Sequence, residues 1–154
     1  METVVLANHI KRTATGPMWH GPALDELLKD VTSEVAAARP IAGAHSIWEL
    51  VLHVTAWAEI AAARLRGERM GDPAADEDWP PVRGTDQAAW DEALTRLREA
   101  HRGLAHAVRH LEDSVMHEKI PDLGYSRSNL LHGVIEHGTY HGGQIALLKK
   151  SARR

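Results

Sequence analysis

Three histidines, His53, His137 and His141, have the residue type and the spacing to hold one divalent metal ion. His137 and His141 are four residues apart. On a helix that spacing brings two imidazoles one turn apart on the same face, close enough to chelate a single ion. Both stand inside the series Leu130, Val134, His137, His141, Ile145, Leu148, whose intervals of four, three, four, four and three trace one face of a helix. His53 occupies a similar stripe, Leu50, His53, Trp57 and Ile60, beside Val51, Val54, Ala58 and Ala61. It therefore faces the same core from a second helix.

Periodicity alone leaves two accounts open, a metal site and a set of hydrogen-bonded core histidines. Each buried imidazole needs partners for two nitrogens, and a shared ion would satisfy one nitrogen on every ring at once. The other histidines act as controls. His106 and His110 also stand four apart, but their helix face carries Glu99, Arg102 and Asp113, so that pair reads as solvated. His101 falls on an apolar stripe between Leu97 and Leu104, as an additional ligand or as a group supporting the ligands. His20 and His45 lie near helix starts, at the mouth of a pocket; His9, His117 and His132 carry no signal.

Around this cluster, Gln144 follows His141 on the ligand face and can orient a ligand or a water. Glu49 precedes His53 by one turn, although a capping role accounts for it equally well. Glu136 and Tyr140 fall off the ligand stripe. Trp57, Trp48 and Trp19 read as pocket walls or as plain core, and no residue stands out as a general base.

The elements that must position these residues are helical, because no sustained apolar/polar alternation bounded by hairpin turns occurs. A first helix is expected over 2–14, stopped by Gly16-Pro17. Short helices follow over 22–29, with Pro22 at the first helical position, and over 33–38, stopped by Pro40. Ser46 and Glu49 form a capping box at the start of a helix over 47–66, and Gly67 ends it. Residues 67–85, rich in Gly, Pro and acid, read as a long connection across the bundle. A third long helix is expected over 86–111, with Trp90, Leu94, Leu97, Leu104, Val108 and Leu111 on one stripe. After an irregular stretch over 112–126, Ser126 or Ser128 caps a fourth helix reaching 150. Gly133, Gly138, Gly142 and Gly143 lie within that helix, each costing up to about 1 kcal/mol relative to alanine. Something packed close against its backbone is expected, such as another helix, a ligand or a second subunit of a homodimer. The sum is an all-α four-helix bundle with short extra helices and long crossover loops, in one domain spanning 1–154.

Composition sets outer bounds. The 154 residues are 44% apolar and 25% charged, ordinary for one globular domain. A net charge of −3 gives no basic face for nucleic acid, and the basic run at 149–154 suits a helix C-terminus. No segment approaches the length of an apolar membrane span, and the start METVVLANHIKRT lacks the pattern of a signal peptide. Without cysteine there are no disulfides and no thiolate ligands, so the redox compartment is not read from them and the cytoplasm is the default expectation.

Two stretches carry a family resemblance. HSIWELVLHV, residues 45–54, and HGVIEHGTYHGGQI, residues 132–145, resemble the WELVLHV helix and the H-x-x-x-H-x-G-Q-I signature of the DinB-like superfamily, the DinB/YfiT-like metalloenzymes. Trp19-His20-Gly21-Pro22 and Trp79-Pro80-Pro81 are similar to segments of the same group. The resemblance implies an up-down-down-up bundle, often dimeric, whose divalent ion, commonly zinc or nickel, is held at the positions of His53, His137 and His141. Many members carry arginine after the last ligand histidine; Gly142 stands there in this chain. Characterised relatives include thiol-dependent S-transferases and isomerases that use bacillithiol or mycothiol. The resemblance thus implies a metal-dependent transferase acting on a small molecule with a low-molecular-weight thiol. A metal-dependent hydrolase, or a metal- or ligand-binding stress protein without catalysis, are the competing readings.

Overall fold

The computed structural model describes residues 1–69 and 71–152, so of the basic tail only the part up to Ala152 falls among the described residues. Those residues form seven α-helices and no strand: α1 (Glu2–Thr15), α2 (Leu24–Leu28), α3 (Ser33–Ala37), α4 (Ile47–Leu65), α5 (Ala75–Asp78), α6 (Gln87–Arg109) and α7 (Arg127–Ser151). One turn of 3-10 helix, Asp113–Val115, lies in the stretch expected to be irregular. The four long helices are the four expected from periodicity.

Side-chain caps set where the site-bearing helices begin. Ser46 Oγ accepts the Glu49 N–H, and Glu49 returns the bond to the Ser46 N–H at 2.7 Å, so the capping box at α4 is formed. Asp86 caps α6 through the Ala89 N–H, and Ser126, of the two candidates, caps α7 through the Asn129 N–H. Gly67, with φ of 71°, lies just past the end of α4 in the left-handed region that glycine enters freely.

One expectation about elements needs correction. Pro22 lies outside α2, because Ala23 is the N-cap and its N–H is taken by the Glu26 carboxylate at 2.8 Å. The long connection over 67–85 contains one helical turn of its own. Glu77 accepts the Ala74 N–H and binds Arg69 through both carboxylate oxygens, and this closes the helical turn α5.

α4 and α1 each pack against both α6 and α7. The apolar interior divides into two clusters. One gathers Leu6, Ile10, Ala58, Leu104, Val108 and Leu131, the other Leu24, Trp48, Leu50, Trp90, Leu97 and Ile145. Between them in sequence lie His101 on α6 and His137 with His141 on α7, while on α4 His53 stands among the last residues of the second cluster, one before Val54. The histidines therefore form a polar layer where the two apolar clusters meet. Burying such a layer is unfavourable unless its nitrogens find partners.

The α7 glycines divide into two kinds. A Cβ on Gly138 would come within 2.6 Å of Thr13 Cγ2 on α1, and one on Gly142 would meet Leu24 and Leu27 at ordinary contact distance. A Cβ on Gly133 or Gly143 would meet nothing within 4 Å. Close packing within the chain thus explains Gly138 alone, since alanine would fit at Gly142 and nothing nearby excludes it at Gly133 or Gly143.

Candidate metal centre

The register fixed by the Ser126 cap places His137 and His141 on the side of α7 that faces α4, and His53 meets them there. The Nε2 atoms of His53 and His137 are 2.9 Å apart, and those of His137 and His141 are 3.1 Å apart. The three rings meet edge to face, with centroids 4.4–4.9 Å apart.

The opposite nitrogens explain why the Nε2 atoms converge. His53 Nδ1–H donates to the carbonyl of Asp78 at 2.6 Å, and His141 Nδ1–H donates to Gln144 Oε1 at 2.6 Å. With the ring protons held on Nδ1, a neutral His53 and a neutral His141 present bare Nε2 lone pairs to the same point. Burial pushes His137 down to about 3, with His141 and His53 adding to the shift. Burial also lowers His53, against the opposing pull of Asp78, and lowers His141 against the bond to Gln144. The cluster is thus held neutral and ligand-competent.

The donor set fits a divalent ion. Nitrogens 2.0–2.1 Å from a metal lie about 2.9–3.4 Å from one another for bond angles between a right angle and the tetrahedral value. The two measured separations fall in that interval. Among the described residues these are the three side chains grouped closely enough to share an ion.

Aromatic rings frame the cluster. The Trp79 indole lies between His53 and His45, with centroids 3.8 Å and 3.7 Å away and planes tilted by 3° and 12°. Trp57 donates its Nε1–H to the Asp78 carboxylate at 2.7 Å and ties α4 to α5. The site opens into a cavity of about 630 Å³, bounded by α7 on one side and by Trp57, Asp78 and Trp79 on the other.

The remaining sequence candidates fall in different places. Gln144 and Trp57 line the cavity, and so does His45. His101 is 1% exposed, its Nδ1–H donates to the Leu97 carbonyl at 2.9 Å, and its Nε2 has no protein partner. It belongs to the polar layer but not to the three-nitrogen group. Glu49 is committed to its cap and to Arg39 and does not line the cavity. His20 is exposed and sits at a separate small crevice beside Pro22, Gly138 and Gly142. Trp19 is fully exposed, and Trp48 packs in the core against Trp90. His106 and His110 are on the surface.

Asp78, Trp79, Tyr125, Asn129 and Tyr140 also line the cavity, and sequence reasoning did not single them out as site residues. Asp78 holds His53 through its backbone carbonyl, which carries no side-chain signal. Trp79 left one: an indole in an acid-rich loop needs an apolar or aromatic surface to cover. Tyr140 is 65% exposed and off the buried stripe as expected, yet the cavity reaches beyond that stripe to its ring.

A scan against family models matches residues 19–145 to the DinB superfamily. No curated protein and no solved structure matches the chain significantly. The matched span takes in both the α4 histidine and the α7 pair. The chain belongs to the DinB superfamily.

Proposed function

We propose that this protein is a metal-dependent enzyme that holds zinc or nickel through His53, His137 and His141 and transfers a low-molecular-weight thiol to a small electrophilic substrate. One observation carries the metal: the Nε2 atom of His137 lies 2.9 Å and 3.1 Å from those of His53 and His141, with one nitrogen of each of the three rings within 4.8 Å of the others, while the far nitrogens of His53 and His141 are bonded to acceptors. Three histidines leave a coordination position open, and an ion there supplies Lewis acidity that holds a thiol as its thiolate or acidifies water.

The chain's own groups favour the thiol. The Asp78 carboxylate accepts from Trp57, and Glu49 lies outside the cavity. Asp78 is the one carboxylate of the described lining, and its Oδ1 is already taken by Trp57 and lies 3.4 Å from His53 Nδ1, which makes it a weak candidate for a general base. A thiol acidified by the ion needs no such base. Trp79 and Gln144 hold two of the rings in place, while Leu130 and Val134 offer an apolar wall to a substrate.

The same reading takes the whole chain, 1–154, as one domain in the up-down-down-up order. It assigns the protein to the cytoplasm, where small thiols are kept reduced. It includes a homodimer built on the outer face of α7, where Tyr140 and Leu147 are 65% and 62% exposed beside Gly143.

Metal analysis of protein purified without a nickel column tests the centre. Stoichiometric metal in the wild type and its loss in His137→Ala are expected; a metal-free wild type whose uptake His137→Ala leaves unchanged refutes it. A conjugation screen with an electrophile, with and without thiol and metal, tests the reaction. Ester or amide hydrolysis without thiol would put the hydrolase in its place, and no turnover with full metal would leave a binding protein.

A further inference from the structure

The cavity has a second polar end. From His137 it runs back along α7 past Val134, Gly133 and Leu130 to Asn129 and Tyr125. His137 and Asn129 are eight residues apart on α7, so the two ends are separated by about 12 Å at the helical rise per residue.

Behind Tyr125 stands a buried cation. Arg64 is 3% exposed, and no carboxylate among the described residues pairs with it. Its Nη1 donates to the Tyr125 hydroxyl and its Nη2 to the Gly71 carbonyl, both at 2.8 Å, while Nε has no partner. A buried guanidinium without a counter-charge is costly, and an arriving anion relieves that cost. The Tyr125 hydroxyl accepts from the cation and donates to no group among the described residues. Its own hydrogen is free, and the adjoining positive charge makes it a stronger donor.

Trp57 separates the two ends electrically. Its indole N–H is bonded to the Asp78 carboxylate on the metal side, and the Arg64 guanidinium lies 5.5 Å from its ring centroid. Negative protein charge is thereby kept at the histidine end and positive charge at the tyrosine end.

The geometry points to a substrate or thiol that carries a carboxylate, held by Tyr125 and Asn129 at the far end of the cavity, with Arg64 as a positioning residue behind Tyr125. The position of the other end rests on the metal reading above. A carboxylate fits better than a phosphate. A single guanidinium lies behind this end, and the lining named above has no lysine or arginine to balance a second negative charge.

The test uses ligand pairs that differ only in the anion. On cobalt-loaded protein, 8-mercaptooctanoate is compared with its primary amide through the thiolate-to-cobalt absorption band, with mercaptoacetate and its amide as a pair too short to span. On metal-free protein, octanoate is compared with octanamide by calorimetry. The wild type is expected to bind each long acid about tenfold tighter than its amide, as a charge-assisted bond outweighs a neutral one. The short pair is expected to show no such ratio. Tyr125→Phe should reduce the long-chain ratio to within about twofold while amide binding persists, and Arg64→Gln should do the same. Circular dichroism and a thermal melt check that both variants fold. Equal binding of acid and amide, no binding of either, or a ratio that survives Tyr125→Phe overturns the proposal. A preserved octanoate preference without any cobalt–thiolate band would sink the thiol reading and leave the carboxylate end standing.

Discussion

Trp79 lies flat against His53, with ring centroids 3.8 Å apart and planes only 3° from parallel. The carbonyl of the residue before it, Asp78, accepts the Nδ1–H of the same imidazole. Consecutive residues of one short segment thus fix both the tilt and the in-plane rotation of a ligand ring. Groups that orient a ligand ring commonly contribute 10–100-fold in metal affinity, so the consequences of disturbing this pair are measurable.

Replacing Trp79 with leucine keeps an apolar side chain but removes the parallel surface. Zinc affinity of Trp79→Leu, measured by competition with a chelating dye, is expected to fall about tenfold. Any change in tryptophan fluorescence on metal addition should shrink with it. Unchanged affinity would show that the Asp78 carbonyl orients His53 alone.

Gln144 performs the corresponding task for His141 across a 2.6 Å bond. Gln144→Ala should weaken metal binding roughly 10–100-fold, and Gln144→Glu, which keeps an acceptor oxygen, should restore most of it. Equal losses in both variants would argue that the amide acts by packing and not as an acceptor.

Acid should weaken the metal-free fold through the same histidines. An unfolded histidine titrates near 6.5, whereas burial holds His137 down to about 3. Between those values the unfolded chain binds a proton that the folded chain refuses. This contribution to stability is complete above about pH 6.5 and is lost progressively as pH falls toward 3. His53, His141 and His101 are lowered in the same direction. Urea midpoints of metal-free protein should therefore drop between pH 7.5 and pH 5, and His137→Asn should flatten the dependence. A midpoint independent of pH would show that the cluster takes up protons in the folded state.

Two glycines of α7 should respond oppositely to alanine. At Gly138 a methyl group would press to 2.6 Å from Thr13 Cγ2, an overpacked contact expected to cost about 1–3 kcal/mol. Thr13→Ser, which lacks that methyl, should recover much of the loss in the double variant. At Gly143 nothing of the same chain lies within 4 Å, and in the monomer, at protein concentrations too low for a dimer, alanine should stabilise by up to about 1 kcal/mol through helix propensity. Chemical denaturation of the variants decides both signs, and a Gly143→Ala destabilised only at higher protein concentration would point to a partner on that face.

The fold and the heart of the site were legible for the same reason: both are written in helical periodicity. His53, His137 and His141 interrupt otherwise apolar stripes, so their shared interior position follows from spacing alone. Ser46, Asp86 and Ser126 mark the starts of α4, α6 and α7 by residue type. What stayed hidden lies in the connections. The α5 turn depends on Glu77 reaching Ala74 and Arg69, contacts with no period to betray them. Asp78 contributes a carbonyl, which every residue has. The union of Arg64 with Tyr125 spans 61 positions and appears only once the chain is folded. His20 does line a pocket, but a separate small crevice, since proximity to a helix start says nothing about which side of α7 a residue will occupy.

The polar layer between the two apolar clusters has a mechanical side. α4 and α7 each run through both clusters, and the histidines are the rungs joining them at the level between. An ion gripped there would act as a rivet through the waist of the bundle. Emptying the site would leave two greasy halves joined by a seam of neutral imidazoles, so the chemistry of the centre and the stiffness of the whole molecule would be set by one and the same bond.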